Sequence, residues 1–489
     1  MNRLLLLIIL SVTTFMIILD YSVANVSIPY IAGALSVSVD QGTYVITSFA
    51  VGNAIGLALT GMLSQYFGQA RIMIVSVFLF TLFSWTCGIS WSLEVLVLNR
   101  FIQGLVAGPI IPLSQSFIVQ YGTEETRAKD LSLWSNIIIG APVVGPLLGG
   151  YLSEWHSWTW IFFINIPVGL ICIAILWALF RGHESKRTPV KPSIWGIMLL
   201  VIGVSCLQIF LDKGQQWDWW RSDLIWILAV GTFIAFTFLG IQGLFGQNPT
   251  MPLRLFKIPS FALAVIALVI SYGMYFGIVV VVPLWLQQYM GYTADWAGAA
   301  VCTLGIGPLF LSQLTPKMMN SWGNVPTFIG SAVFFMISCV YAFFFTTQVD
   351  FFHIALARFV FGLGFICYIA PLQSLCIEKV AALDLPNATG LFHFFRAIMA
   401  GVGTSIFTTI FARRTIFHHE RVGSAVTRWL PDEGSLSLLN DALDRQAAML
   451  AMNDLFWLMA WLFAALIVIM GIYLFITKMG VSYAHKTNN

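Results

Sequence analysis

GAPVVGPLLGG, residues Gly140 to Gly150, sits inside a long apolar run of the chain. At helical spacing Ala141, Gly145 and Gly149 fall on one stripe, and Pro142, Pro146 and Gly150 on the next. In water each interior Pro costs a helix roughly 3 kcal/mol and each Gly roughly 1 kcal/mol. Inside a bilayer such residues are admitted, because neighbouring helices and local backbone adjustment re-satisfy the freed backbone groups. A stripe without side chains also lets a second helix come close. Two readings of the stripe stay open: a plain packing seam, and a seam that opens and closes.

The rest of the chain gives that stretch its context. Of 489 residues, 59% are apolar and 9% charged, with a mean hydropathy of +0.87. Soluble domains carry about 25% charged residues, so the composition predicts an all-α polytopic membrane protein. A net charge of +3, scattered along the chain, does not suggest nucleic acid as a partner. The seven cysteines lie within apolar runs and form no CxxC, which indicates neither a disulfide framework nor a metal site. The first apolar run, Leu4 to Ile31, is too long for a signal-peptide core and reads as an uncleaved span.

Apolar runs of about 20 residues, the length a helix needs to cross a bilayer, number fourteen. They lie near 4–31, 43–66, 72–91, 94–120, 130–153, 160–180, 193–211, 224–245, 258–288, 295–316, 325–346, 352–377, 387–411 and 453–477. With the N-terminus inside, the inner segments hold fourteen Lys and Arg and the short outer loops two, Lys213 and Arg221. This positive-inside asymmetry places both termini in the cytoplasm. The longest outer segment, 412–452, also carries five arginines, but long loops obey the rule weakly. Within it Leu436, Leu439, Leu443 and Ala447 have the spacing of an amphipathic helix, either packed on its own protein or docking a partner outside the membrane. His418 and His419, at the mouth of the preceding span, read as surface residues rather than metal ligands.

The two halves repeat. RFIQGLVAG from Arg100 returns as RFVFGLGF from Arg358, and the same offset of 258 carries Gly145 onto Gly403. Parallel repeats of this kind build secondary transporters. The chain divides into a six-helix bundle (1–182), a basic linker and two-helix insert (183–250), and a second six-helix bundle with the outer segment (251–489).

Charges inside spans are few, and each is informative. Asp20 lies roughly 24 Å above the inner end of its span, and Arg100 roughly 10 Å below the outer end of its own, at 1.5 Å per residue. In a hydrocarbon core of about 30 Å both fall in the outer half. Burial favours the protonated carboxyl and an approaching guanidinium favours the charged one, the push and pull that proton coupling requires; a static ion pair is the other reading. Arg396 lies near mid-membrane, placed either for an anionic group or for helix carbonyls. Asn25, Gln103, Gln115 and Asn136 are amides for a polar cavity or for interhelical hydrogen bonds. Trp134, Tyr272, Tyr275 and Phe276 are candidates to floor a hydrophobic cavity. The seam at Gly140–Gly150 is expected to face a second small stripe, Ala299, Thr303 and Gly307, across the two halves. No phosphate-binding loop, HExxH pair or selectivity ring occurs, so neither an ATP-driven pump, an enzyme nor a channel is indicated.

Several stretches together resemble the major facilitator superfamily, and within it the fourteen-span drug:proton antiporters of EmrB type. LDYSVANVSIPYIAGAL (Leu19–Leu35) is similar to that family's first span, and GMLSQYFGQAR (Gly61–Arg71) to its loop between spans 2 and 3, with Gly61, Gly68 and Arg71 in place. LNRFIQGLVAGPIIPLSQS (Leu98–Ser116) resembles the span-4 motif, whose arginine, here Arg100, the family associates with proton transfer. GAPVVGPLLGG with the following WTWIFFINIPVGL resembles the antiporter motif. LDKGQQWDWW (Leu211–Trp220) and FFRAIMAGVGTS are similar to segments particular to EmrB-type members. Gln65, Gln69 and Ala70 replace acidic and basic residues of the loop motif, which removes a charge-based inner latch, and His393 stands where members often have Asn.

The resemblance implies a major facilitator fold of two six-helix bundles plus the insert. It implies export of hydrophobic toxic compounds in exchange for protons, driven by the proton gradient without a cofactor. It also implies a Gram-negative inner membrane, a periplasmic adaptor and an outer-membrane channel. Competing readings are a dedicated exporter of one siderophore or lipid-like molecule, and a non-transporting sensor or scaffold on the same fold. Gly145→Leu is expected to abolish transport while the protein still reaches the membrane; normal transport by that variant in vesicles contradicts the seam.

Overall fold

The computed structural model describes residues 3–181, 193–214, 217, 219–246, 249–311, 313–426 and 436–487. The basic linker after Arg181 and the middle of the outer segment lie outside the described residues, as do Gln215, Gln216 and Asp218 of the LDKGQQWDWW stretch. Regular structure among the described residues is helical throughout. The chain begins with α1 (Arg3–Val26), short α2 (Ile28–Ala34) and α3 (Val39–Gly42), α4 (Tyr44–Phe67), α5 (Gln69–Gly88), α6 (Leu93–Ala107) and α7 (Ile110–Tyr121). Next come α8 (Glu124–Trp155), α9 (Trp160–Phe163), α10 (Asn165–Phe180), α11 (Ile194–Lys213) and α12 (Asp223–Phe245). The remainder is α13 (Pro259–Gln288), α14 (Ala294–Leu311), α15 (Leu314–Trp322), α16 (Asn324–Phe343), α17 (Phe351–Ile366), α18 (Ile369–Ile377), α19 (Leu385–Val426) and α20 (Leu436–Thr487).

Twelve helical segments among the described residues are long and apolar enough to cross a membrane. The stretches expected as spans at 130–153 and 295–316 are helical, in α8 and α14, but are not among the twelve. Glycine and proline dilute the hydropathy of α8, whose first turns also hold Glu124, Arg127 and Asp130; in α14 the apolar part is the shorter Trp296–Pro308. The outer segment also differs from a loop: α19 runs on to Val426, and α20 begins at Leu436. At 42 residues, α19 extends for roughly 63 Å, about twice the hydrocarbon core. Asp454 of α20 clasps this extension, accepting from Arg414 Nε at 2.6 Å and pairing with His418 Nε2 at 2.7 Å. His419 pairs with Asp444 at 3.2 Å.

The chain forms two compact units, Met1–Val265 with Cys376–Ile398, and Ile266–Leu375 with Met399–Asn489. In the first unit α4 and α6 approach until backbones touch. A Cβ placed on Gly104 would fall 2.2 Å from the Phe49 carbonyl oxygen, and one on Gly56 would fall 2.1 Å from that of Leu105. Such contacts carry helix association in lipid, where apolar side chains gain little by leaving the hydrocarbon. In the second unit Gly362, the repeat of Gly104, stands in the same relation to the Leu304 carbonyl on α14, 2.1 Å from an added Cβ. Gly68 and Gly323, which end α4 and α15, both take the left-handed backbone, at φ 93° and 87°. Gly104→Leu therefore has no room short of parting α4 from α6, and overpacking of this kind costs about 1–3 kcal/mol or more. Loss of the monodisperse solubilised protein on size-exclusion chromatography is the expected outcome, while Gly150→Ala, whose added Cβ meets nothing within 4 Å, leaves the profile unchanged.

Candidate functional site

Asp20, six residues from the end of α1, and Arg100, midway along α6, meet at the heart of the first unit. Arg100 Nη1 donates to Asp20 Oδ2 at 2.6 Å, with neither side chain exposed at all. The same nitrogen donates to Gln103 Oε1 at 2.8 Å, one helical turn along, and Arg100 Nε lies 3.4 Å from the Val45 carbonyl on α4. Two rings complete the cage, with the Arg100 Cζ 4.2 Å from the centroid of Phe49 and 5.4 Å from that of Phe162. The register is anchored by Ser92, which caps α6 by accepting from the Val95 amide, two turns before Arg100.

Sequence reasoning missed the second half of this network. Asn165, the first residue of α10, donates to Asp20 Oδ1 at 2.8 Å and to Ser84 Oγ at 3.0 Å. Ser84 in turn donates to the Phe162 carbonyl at 2.8 Å, and Cys87 Sγ lies 3.5 Å from Gln103 Oε1. The available signal was the lone amide in WTWIFFINIPVGL, beside the seam motif. One carboxylate thus ties together α1, α5, α6 and α10, each of its oxygens holding a different donor.

The seam itself has a different partner from the one expected. α8 lies along α1, and both run in the same direction. Arg3 pairs with Asp130 at 2.6 Å, Trp134 Nε1 donates to Thr14 Oγ1 at 3.1 Å, and Ser153 donates to Ser27 Oγ at 2.7 Å. Between these contacts a Cβ on Gly145 would fall 2.3 Å from Ser22 Oγ, and one on Gly149 would fall 2.8 Å from the Val23 carbonyl. The space expected for Ala299, Thr303 and Gly307 is therefore taken by α1, because the bare stripe fits the first helix of its own bundle. Thr303 and Gly307 likewise find partners in their own unit. Thr303 donates to the Ala355 carbonyl at 3.0 Å, and Gly307 lies against Gly362 and Leu363 on α17; Ala299 is exposed. Ala141 is buried, Gly150 has open space, and the surroundings of Asn136, Gly140, Pro142 and Pro146 lie outside the described side chains.

The other amides and aromatics separate into distinct groups. His393 Nε2 and Gln115 Oε1 are 2.8 Å apart, with the Trp134 ring edge-on to the imidazole and the charge of Arg396 acting on it. Tyr272, Tyr275 and Phe276 form a ring cluster in the second unit, joined by Phe361 and Phe365. Asn25 is exposed near the end of α1. At the loop motif, Gly61 is filled by the Asn387 side chain and Arg71 is exposed. Arg358, the repeat of Arg100, makes no ion pair among the described residues; it is buried between the rings of Phe361 and Phe456.

Comparisons with known proteins bear on the family and the fold. The family described as Major Facilitator Superfamily matches residues 10–404. The chain is 38% identical over 480 residues to the multidrug export protein EmrB of Haemophilus influenzae, covering 94% of this chain and 93% of that protein. It is 33% identical over 474 residues to the fatty acid resistance protein FarB of Neisseria gonorrhoeae, with the same coverage. The crystal structure of the human organic anion transporter TETRAN superposes with a TM-score of 0.62 at 12% identity, over 95% of this chain and 100% of that one, a likeness of fold.

The ion pair is asymmetric in what its loss leaves behind. A buried carboxyl can take up a proton, whereas a guanidinium keeps its charge. Asp20→Leu is therefore expected to lower stability by about 3–5 kcal/mol, the usual cost of stranding a buried charge, and Arg100→Leu by less. Thermal unfolding of the solubilised variants measures both, and equal losses contradict the asymmetry.

Proposed function

The chain belongs to the major facilitator superfamily, a multi-pass membrane transporter by fold, and from that premise we propose that it exports small hydrophobic toxic compounds in exchange for protons. The observation that carries the reading is the fully buried pair of Asp20 and Arg100. A proton arriving from outside neutralises Asp20 and removes its attraction for Arg100, which keeps Gln103 as partner. Because Asp20 is also held by Asn165, the change is felt at once by α1, α5, α6 and α10. Release of that proton inside and of substrate outside completes an alternating-access cycle, with the Gly140–Gly150 stripe letting α1 and α8 move as a closely packed pair. Arg358, between the rings of Phe361 and Phe456, makes no ion pair among the described residues, so in this reading coupling is confined to the N-terminal repeat.

In this reading α8 and α14 also cross the membrane, giving fourteen spans with both termini cytoplasmic. The membrane is a Gram-negative inner membrane. The projecting ends of α19 and α20, clasped through Asp454, are the surface offered to a periplasmic adaptor and its outer-membrane channel. A scaffold on the same fold needs no buried charge pair, which disfavours that alternative. A dedicated exporter of one lipid-like molecule is the second reading, favoured by the likeness to a protein named for fatty acid resistance.

In vesicles with an imposed pH gradient, substrate addition is expected to release protons through the wild-type protein. Asp20→Asn abolishes that release and leaves substrate binding intact, and retained coupling refutes the role of Asp20. A compound panel separates the readings: several unrelated substrates support a multidrug exporter, a single lipid-like one the dedicated exporter.

A further inference from the structure

The first turns of α4 carry two sets of contacts on opposite faces, all within the first compact unit. Val45 and Phe49, one turn apart, face α6: the Val45 carbonyl accepts from Arg100 Nε at 3.4 Å, and the Phe49 ring centroid lies 4.2 Å from the Arg100 Cζ. Gly52 continues that face, where an added Cβ would fall 2.1 Å from the Phe101 carbonyl oxygen. Tyr44 and Thr47, three residues apart, share the other face and meet the end of α11 in the insert. Thr47 Oγ1 donates to Asp212 Oδ2 at 2.5 Å, and Lys213 Nζ lies 4.4 Å from the centroid of Tyr44. Two residues separate Val45 from Thr47, roughly 200° around a helix of 3.6 residues per turn. One turn of α4 is therefore held between the buried arginine and the insert.

Although Asp212 lies at the surface, both of its oxygens are engaged, since Gln208 Nε2, one turn back on α11, donates to Oδ1 at 3.1 Å. Rings pack the junction of α11 and α12 beyond it. Phe210 lies against Trp219 and Trp220, and Trp220 against Trp226, with centroids 4.8–5.9 Å apart. Tryptophans of this kind seat a hairpin at a membrane–water interface, so α4 is tied to an anchored element. A shift of its first turn away from α6 lengthens the 3.4 Å bond and withdraws the Phe49 face, loosening the guanidinium that holds Asp20. A carboxylate less firmly paired with its cation takes up a proton more readily. The titratable neighbours of Asp20 are Arg100 and Cys87, and that of Asp212 is Lys213.

We propose that Asp212 of the insert is a positioning residue for proton coupling: through Thr47 it holds the first turn of α4, and with it Arg100, in place against Asp20. The proposal rests on the export reading above, in which Asp20 takes the proton, and gives the two-helix insert a part in that step. The full chain in lipid nanodiscs is titrated with pH and followed by infrared difference spectroscopy. The carbonyl stretch of the protonated Asp20 carboxyl is assigned by its loss in Asp20→Asn. Thr47→Val, of nearly the same size but without a donor, and Asp212→Ala are each expected to raise the midpoint of that band by about one pH unit, a tenfold gain in proton affinity. The double variant raises it no further, because both changes remove one contact. Thr47→Ser and Asp212→Asn, which keep a donor and an acceptor between the helices, hold the wild-type midpoint. A shift in Asp212→Asn as large as in Asp212→Ala overturns the proposal, since the Asp212 charge rather than its hold on Thr47 then acts. Lower thermal stability of Thr47→Val with an unmoved midpoint also overturns it, marking a merely structural contact. The two readings fail separately: an Asp20 band that does not titrate in wild type defeats the export reading's use of Asp20, whereas a band that titrates and stays put in Thr47→Val defeats only the role of Asp212.

Discussion

A carboxylate and a guanidinium placed where no water reaches them are the constraint around which the N-terminal bundle is arranged. Removing two charges from water is repaid only when geometry is good and every remaining lone pair finds a donor. Each Asp20 oxygen has a donor, Arg100 on one and Asn165 on the other, and Arg100 adds Gln103, the Val45 carbonyl and two aromatic faces, while its Nη2 is buried without a hydrogen-bond partner. Those partners come from α1, α4, α6, α9 and α10, so most of the bundle meets at the pair. In the second repeat Arg358 lies between rings and makes no ion pair among the described residues.

Close backbone approach is the second organising feature, and it obeys the duplication more faithfully than the charges do. Gly104 on α6 touches α4, and Gly362 on α17 touches α14. Gly145 on α8 sits against Ser22 of α1; its repeat Gly403 on α19 sits against Gly273 of α13, 2.1 Å from that carbonyl to an added Cβ. In each repeat the helix that carries this glycine therefore runs beside the repeat's first long helix. Where apolar area supplies little driving force between helices, bare stripes decide which neighbours can pack. They also set a limit on change, since an added methyl group at Gly104, Gly362 or Gly403 meets backbone rather than a flexible side chain.

The polar residues around the junction of α4 and α5 follow a different logic. Acidic and basic residues of the usual loop motif are replaced by Gln65, Gln69 and Ala70, and the contacts of α19 on α4 and α7 are made instead by Asn387 at Gly61, Thr389 at Pro112 and His393 at Gln115. Neutral hydrogen bonds of this kind are individually modest in a membrane, because the alternatives also find partners. A set of them can be made and broken without stranding a charge.

Much of this was legible in order along the chain. Hydropathy and the repeat of RFIQGLVAG as RFVFGLGF determined a helical membrane protein of two similar halves, because span length and the cost of buried backbone leave few other solutions. Asp20 and Arg100 stood out for the same reason: charge inside an apolar span is too costly to be incidental. Which surfaces meet was decided only in three dimensions. The stripe at Gly145 and Gly149 announced close packing but could not name its neighbour, since Ala299, Thr303 and Gly307 advertise the same smoothness that α1 in fact occupies with Ser22 and Val23. Asn165 looked like one amide among several until folding set it against Asp20 and Ser84. Composition and spacing reveal what a residue can offer; the partner that accepts it depends on helix rotation and depth, which no local pattern records.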